Sequence, residues 1–279
     1  MATSTFVKEG SPSQSVETIT SSLAGIDLDG LTNSGLVDTP EAVSALVDVL
    51  HGLPVRPPSL YIDIEGVNLS RQGTISILQV FVRPKSRTYL VDIHILGNKA
   101  FATPGANGGT LKQILESETI PKVFFDVRND SDALYSHFHI RLSGIQDLQL
   151  MELATRTFRR SHVNGLAKCI ARDAPMGDKE LVDWEATKEN GIKLFQPNLG
   201  GSYEVFNERP LSEEIRTYCV QDVQFLPRLW TYYDAKITPR WRQRVLEASK
   251  ERVTLSQAPE YNGQGIHMAL APQGWANLR

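Results

Sequence analysis

Residues 60–66 read LYIDIEG. Side chains alternate along an extended strand, so Asp63 and Glu65 share one face while Ile62 and Ile64 share the other. Two carboxylates side by side on an otherwise apolar strand repel each other unless a positive group lies between them or the face is solvated. Hard divalent ions prefer carboxylate oxygens, so the pair points to a metal site, with a water-facing edge strand as the alternative. Gly66 follows directly, and its missing side chain would let a ligand approach the backbone. In EEIRTYCVQDVQFLPRLW, Tyr218 and Asp222 lie four apart and share a helix face, beside an apolar stripe of Ile215, Cys219, Val223 and Leu226. A third segment, KVFFDVRNDSDAL, predicts a strand ending near Asp126 and a helix starting close to Asn129 or Asp130. Asp130 serves equally well as a helix cap or as a metal ligand, with Asp126 and Asp132 as the next candidates.

These residues need a scaffold. Thr39-Pro40-Glu41 starts a helix with a hydroxyl cap, a proline at the first helical position and an early acid. GLVDT, SLYIDIEG, TISILQVFV, RTYLVDI, KVFFD and GIQDLQL read as strands, the middle three as an antiparallel run. Helices are expected from Leu111, over 129–138, and then over 149–158, 164–173, 178–188, 211–233 and 236–252. The order predicts an α/β protein, a mixed five- or six-stranded sheet with helices on both faces and a helical C-terminal half. Residues 1–32 are rich in Ser, Thr and Gly and read as a flexible tail, residues 33–253 as the folded domain, and 254–279 as an extension that docks on the domain or on a partner.

The 279 residues are 41% hydrophobic and 22% charged, which excludes bulk disorder and fibrous classes. Neither a membrane span nor a signal peptide is expected, so the chain is read as intracellular, cytoplasmic or nuclear. Cys169 and Cys219 read as buried thiols, and the six histidines show no zinc spacing. The net charge of −3 hides an asymmetry: residues 1–65 hold two basic residues against nine acids, so the rest is positive. Between Leu153 and Arg172 lie Arg156, Arg159, Arg160, Lys168 and Arg172 with no acid before Asp173, a candidate phosphate-backbone footprint or a solvated helix face.

Taken together, the three acidic segments resemble the DEDD 3′-to-5′ exonucleases, in the tyrosine branch that includes RNase D and the Werner syndrome exonuclease domain. That family has Asp-x-Glu on its first strand, a second Asp after a KVxH-type strand, and Tyr-x-x-x-Asp on a late helix. Here these are Asp63 and Glu65, Asp130, and Tyr218 with Asp222; Phe125 stands where the family often has His, and this register favours Asp130. Glu208-Arg209-Pro210-Leu211 and GLAKCI resemble further family segments, and Thr217 stands where the sister branch has histidine. The resemblance covers roughly residues 34–234. It implies an RNase H-like fold and two-metal phosphodiester hydrolysis with two Mg²⁺ or Mn²⁺ ions. Asp63 would bridge the ions, Glu65 and Asp222 would hold one, Asp130 the other, and Tyr218 would orient the attacking water. The substrate implied is single-stranded nucleic acid with a free 3′ end, RNA favoured over DNA. Arg159, Arg160 and Lys168 are candidate contacts to it, Phe125 and Tyr203 candidate stacking residues, although core packing also fits Phe125 and an exposed turn Tyr203. Residues 185–207 are longer than the corresponding RNase D link and resemble the insertion of the Egalitarian type, some of whose members are RNA-binding adaptors. A nuclease-like binding adaptor or dimerisation module is therefore the alternative, and the C-terminal extension is a candidate contact for a second copy or a protein partner.

Overall fold

The computed structural model describes residues 35–277; the expected tail over 1–32 lies outside them. Thr39 caps the first helix, α1 (Pro40–Leu50), by accepting from the Ala42 amide, with Pro40 at its start as the sequence predicts. Six strands follow the expected order: β1 (Gly35–Val37), β2 (Leu60–Glu65), β3 (Ile77–Val82), β4 (Arg87–Asp92), β5 (Lys122–Phe124) and β6 (Ile145–Asp147). They form one mixed sheet in the order β1-β4-β3-β2-β5-β6. The β2-β3-β4 run is antiparallel, while β5 and β6 add in parallel beside β2. The carboxyl ends of β2 and β5 therefore lie on the same edge, which is where Glu65 and the segment after Phe124 meet.

The remaining principal helices are α2 (Leu111–Glu116), α3 (Arg128–Phe138), α4 (Leu148–Thr155), α5 (Leu166–Asp173), α6 (Asp178–Phe195), α7 (Glu213–Gln224), α8 (Leu226–Lys236) and α9 (Pro239–Ser256). Leu60, Ile62 and Ile64 join Val43, Leu46 and Leu134 in the core on one face of the sheet. Tyr61 and Val123 meet Leu150, Leu229, Trp230 and Trp241 on the other. A smaller cluster joins Ile77 and Leu90 to Ile215, Tyr218 and Cys219, so α7 lies across the face to which Asp63 and Glu65 point. Both cysteines are buried free thiols.

Several helices differ from the sequence expectation; α9 spans Pro239–Ser256 rather than 236–252, capped by Thr238 through the Trp241 amide. The segment 211–233 is two helices broken at Phe225, because Pro227 enters the first turn of α8 without an amide to donate to the preceding turn. Helix α4 starts at Leu148, close to expectation, since Asp147 caps it through the Gln149 and Leu150 amides, but it ends at Thr155 rather than 158, with Arg156 in extended backbone. Helix α6 continues to Phe195, seven residues past the expected end, and this extension reaches the site. After α9 the chain lies on its own domain: Val163 donates to the Ala269 carbonyl at 2.9 Å, and Trp275 packs edge-on to Trp241 with centroids 5.0 Å apart.

Candidate active site

Asp63 and Glu65 sit opposite Gln79 and Ile77 of the central antiparallel pair. Across them lies α7, capped by Ser212 through the Ile215 amide. Its start is held down by Arg209, which donates to the buried Asp92 at the end of β4, with one contact of 2.7 Å from Nη2 to Oδ1. This pairing gives the Arg-Pro-Leu segment a physical reason: it fixes where α7 begins and so which turn carries Tyr218 and Asp222. One carboxylate oxygen each from Asp63, Glu65 and Asp222 lies within 4.8 Å of the others. Asp130 is buried in the first turn of α3, at the carboxyl edge of β5, outside that tight triad but close enough to Asp63 to feel its charge.

The electrostatics are those of negative charge that is only partly compensated. Desolvation, then the neighbouring Asp222, push the Asp63 carboxyl up to about 7. Desolvation with Asp63 and Asp222 raises Glu65 well above its ordinary value, and desolvation with Asp63 and Asp126 does the same for Asp130. Carboxylate oxygens converging at this density fit the hard-donor set of a divalent cation. Burial and the nearby acids also raise the Tyr218 hydroxyl, which stays protonated at neutral pH.

The geometry discriminates among the three aspartates around β5. Asp126 is engaged by Arg128 at 2.6 and 2.5 Å and by Arg252 at 3.4 Å. Asp132 receives the Arg71 Nε at 2.6 Å and the Arg71 amide at 2.8 Å. Asp130, by contrast, is buried and close enough to Asp63 for that carboxylate to raise it. Gly66 has a different role from the one expected. A Cβ there would stand 2.1 Å from the Thr74 carbonyl oxygen, so the glycine admits the backbone of the loop that leads into β3.

Lys188 was not legible as a site residue. It comes from α6, in the extended insertion, and its Nζ donates to both Asp222 oxygens at 2.6 and 2.7 Å and to the Tyr218 hydroxyl at 3.0 Å. Desolvation alone would lower this ammonium, but Asp222, Glu65 and Asp63 outweigh it and hold it above its ordinary value. One turn on, Gly191 lies flat against Tyr218, where a Cβ would come within 2.2 Å of the ring. Phe195 stacks edge-on to the same ring at 5.1 Å and leans on Tyr203 at 5.7 Å, so Tyr203 is half-buried rather than an exposed turn. A mid-helix glycine is unfavourable by roughly 1 kcal/mol relative to alanine, and Gly191 was the available signal that this helix packs closely on something. Phe125 is partly buried against the second core.

The basic stretch divides. Arg156 and Arg172 both pair with the buried Glu152, the acid just before the stretch begins. Arg160 donates to the Leu153 and Arg156 carbonyls and lies 4.8 Å from the Trp241 ring centroid. Arg159 and Lys168 are exposed.

Against known proteins, the 3′-5′ exonuclease family description matches residues 35–237. The chain belongs to the 3′-5′ exonuclease family. Its members hydrolyse phosphodiester bonds and depend on divalent metal. RNase D of Trypanosoma brucei, solved as a complex with GMP, superposes with a TM-score of 0.70 at 21% identity, covering 88% of this chain and 71% of that one. The same enzyme in complex with RNA U12 gives 0.67 at 21% identity over 89% and 80%. Among curated proteins, the human piRNA biogenesis protein EXD1 is 38% identical over 172 residues, 60% of this chain and 30% of that protein. The Xenopus laevis protein of that name is 34% identical over 166 residues, 58% and 34%. The chain thus spans about a third of these relatives' length.

Proposed function

We propose that this domain removes nucleotides one at a time from the free 3′ end of single-stranded nucleic acid, RNA in preference to DNA, releasing nucleoside 5′-monophosphates. The observation that carries the reading is the convergence of Asp63, Glu65 and Asp222 within 4.8 Å, one helical turn from Tyr218. With Asp130 these acids would hold two Mg²⁺ or Mn²⁺ ions, which when bound polarise the scissile phosphate and stabilise charge on the departing 3′ oxygen. The protonated Tyr218 hydroxyl orients the attacking water by a hydrogen bond and does not serve as its base. Lys188 holds that hydroxyl and Asp222 in one arrangement and offsets part of the repulsion between the acids and a phosphodiester backbone. Arg159 and Lys168 supply the sequence-independent attraction for the strand further from the site. The RNA preference is supported by the RNase D complex with RNA U12 and by relatives named for piRNA biogenesis.

Oligonucleotides labelled at the 5′ or the 3′ end, incubated with and without Mn²⁺, test the reading. Metal-dependent release of mononucleotide from the 3′ label, with a 5′ ladder shortening by one residue at a time, is expected. Tight binding with no release under any metal would instead support a nuclease-like adaptor.

A further inference from the structure

We propose that the segment following the last helix of the exonuclease fold forms one wall of the substrate cleft and reads the nucleoside seated beside Glu65. The inference rests on the nucleic-acid reading above. A cleft of about 790 Å³ opens next to Glu65 and Gly66. The 66–73 loop contributes Asn68 and Gln72, the insertion contributes Tyr203, and the C-terminal segment contributes Tyr261, Asn262 and Gln264. Among the described residues, the charged side chains along it are two acids, Glu65 and Asp132, and no lysine or arginine lines it. Phosphate would find no cation there. Side-chain amides that can bond base edges and ribose hydroxyls, beside tyrosine rings that can stack, suit the uncharged face of a nucleotide.

This wall is fastened to the catalytic framework. The Arg71 guanidinium, held by Asp132, donates to the Pro259 carbonyl at 2.8 Å and to those of Ser256 and Ala258 at 2.9 and 2.8 Å. Tyr261 donates its hydroxyl to Asn129 Oδ1 at 2.9 Å, and Asn129 immediately precedes Asp130. Gly263 lies so close that a Cβ would come within 2.2 Å of the same Asn129 oxygen. The segment is therefore positioned against the turn that carries Asp130, while Asn262 and Gln264 stay exposed along the cleft. A segment placed this way gives the cleft side chains that the exonuclease fold itself does not provide, and those side chains decide which bases it accepts.

The test uses the full chain and four single-stranded RNA homopolymers, with dissociation constants measured in Ca²⁺ and steady-state turnover in Mn²⁺. The double variant Asn262→Ala/Gln264→Ala should raise KM about tenfold, the worth of two net hydrogen bonds, with kcat within about twofold and a narrower spread among the four homopolymers. Gly263→Ala, which wedges the segment off Asn129 without removing a polar group, should shift KM the same way. Unchanged KM and unchanged base ranking in both variants would overturn the proposal. So would an equal loss for all four polymers carried by kcat, which is the mark of a brace rather than a reading surface. If the wild type binds RNA but releases no nucleotide, the exonuclease reading fails while the Ca²⁺ dissociation constants still judge the wall; if it binds none of the four, both fail.

Discussion

Lys188→Met isolates the contact that holds the catalytic helix face in place. The substitution keeps the length and apolar stem of the side chain and removes the ammonium, which donates at 2.6 and 2.7 Å to Asp222 and at 3.0 Å to Tyr218. A unit charge pair at that distance attracts by about 6 kcal/mol at an effective dielectric constant near 20. Desolvation of the ammonium opposes this, and Asp63 and Glu65 would still attract it if Asp222 were neutralised. The net coupling should therefore be about 2 kcal/mol, measured as a double-mutant cycle with Asp222→Asn. In EDTA, Lys188→Met should lose roughly 3 kcal/mol of stability, since it leaves a buried carboxylate beside two others. Added Mn²⁺ should return much of that, because a divalent cation replaces the lost positive charge and stabilises in proportion to its occupancy. Calorimetric titration should show Mn²⁺ binding at least as tightly as to the wild type, while turnover falls. Urea unfolding of the four cycle members with and without Mn²⁺ measures all of these terms. A coupling below about 0.5 kcal/mol, or a stability loss that Mn²⁺ does not reduce, would refute the placement of Lys188 as the internal counter-charge of this site.

Asp63→Ala should abolish turnover while leaving stability in EDTA unchanged or higher, because it relieves a crowded carboxylate; retained turnover in a clean preparation would refute the metal assignment. Tyr218→Phe should lower kcat by ~10²-fold with KM within a few fold and Mn²⁺ affinity nearly unchanged, and a fully active variant would return the tyrosine to a packing role. Lys122, fully buried in β5 and donating to the Ile114 and Ser117 carbonyls, has its ammonium lowered by desolvation to about 7. The unfolded chain thus binds this proton more tightly between about pH 7 and the ordinary lysine value, so wild-type stability should rise over that window relative to Lys122→Met; a pH-independent difference between the two in urea unfolding would contradict it. Arg159→Ala with Lys168→Ala should flatten the salt dependence of single-strand binding by roughly 0.7 per lost phosphate contact, and an unchanged slope would make both residues solvated-face charges.

Features that depend only on local geometry were legible in the order of the residues. Period two on β2 sets Asp63 and Glu65 on one face, and a four-residue step sets Tyr218 beside Asp222, whatever else the chain does. The cap at Thr39 and the succession of strands along the chain were legible for the same reason, because each is written in neighbouring residues, whereas the order in which the strands pair was not. Pro227 was a local signal too, and reading 211–233 as one helix missed it. Three things required the tertiary structure. The family register already favoured Asp130 over Asp126 and Asp132, but the physical reason, that Arg128, Arg252 and Arg71 engage the other two, required the fold, since Arg252 and Arg71 are far away in sequence. Five basic residues between 156 and 172 looked like one footprint, but Glu152 takes two of them: Arg156 by a local four-residue step, and Arg172 only because of how α4 and α5 face each other. Lys188 lies in a helix rich in both charges, where no spacing rule marks one lysine; its role comes from packing α6 against α7 with Gly191 as the point of closest approach. Local periodicity says which way a side chain points, but which charge it meets across tens of residues is decided by how the helices pack on the sheet.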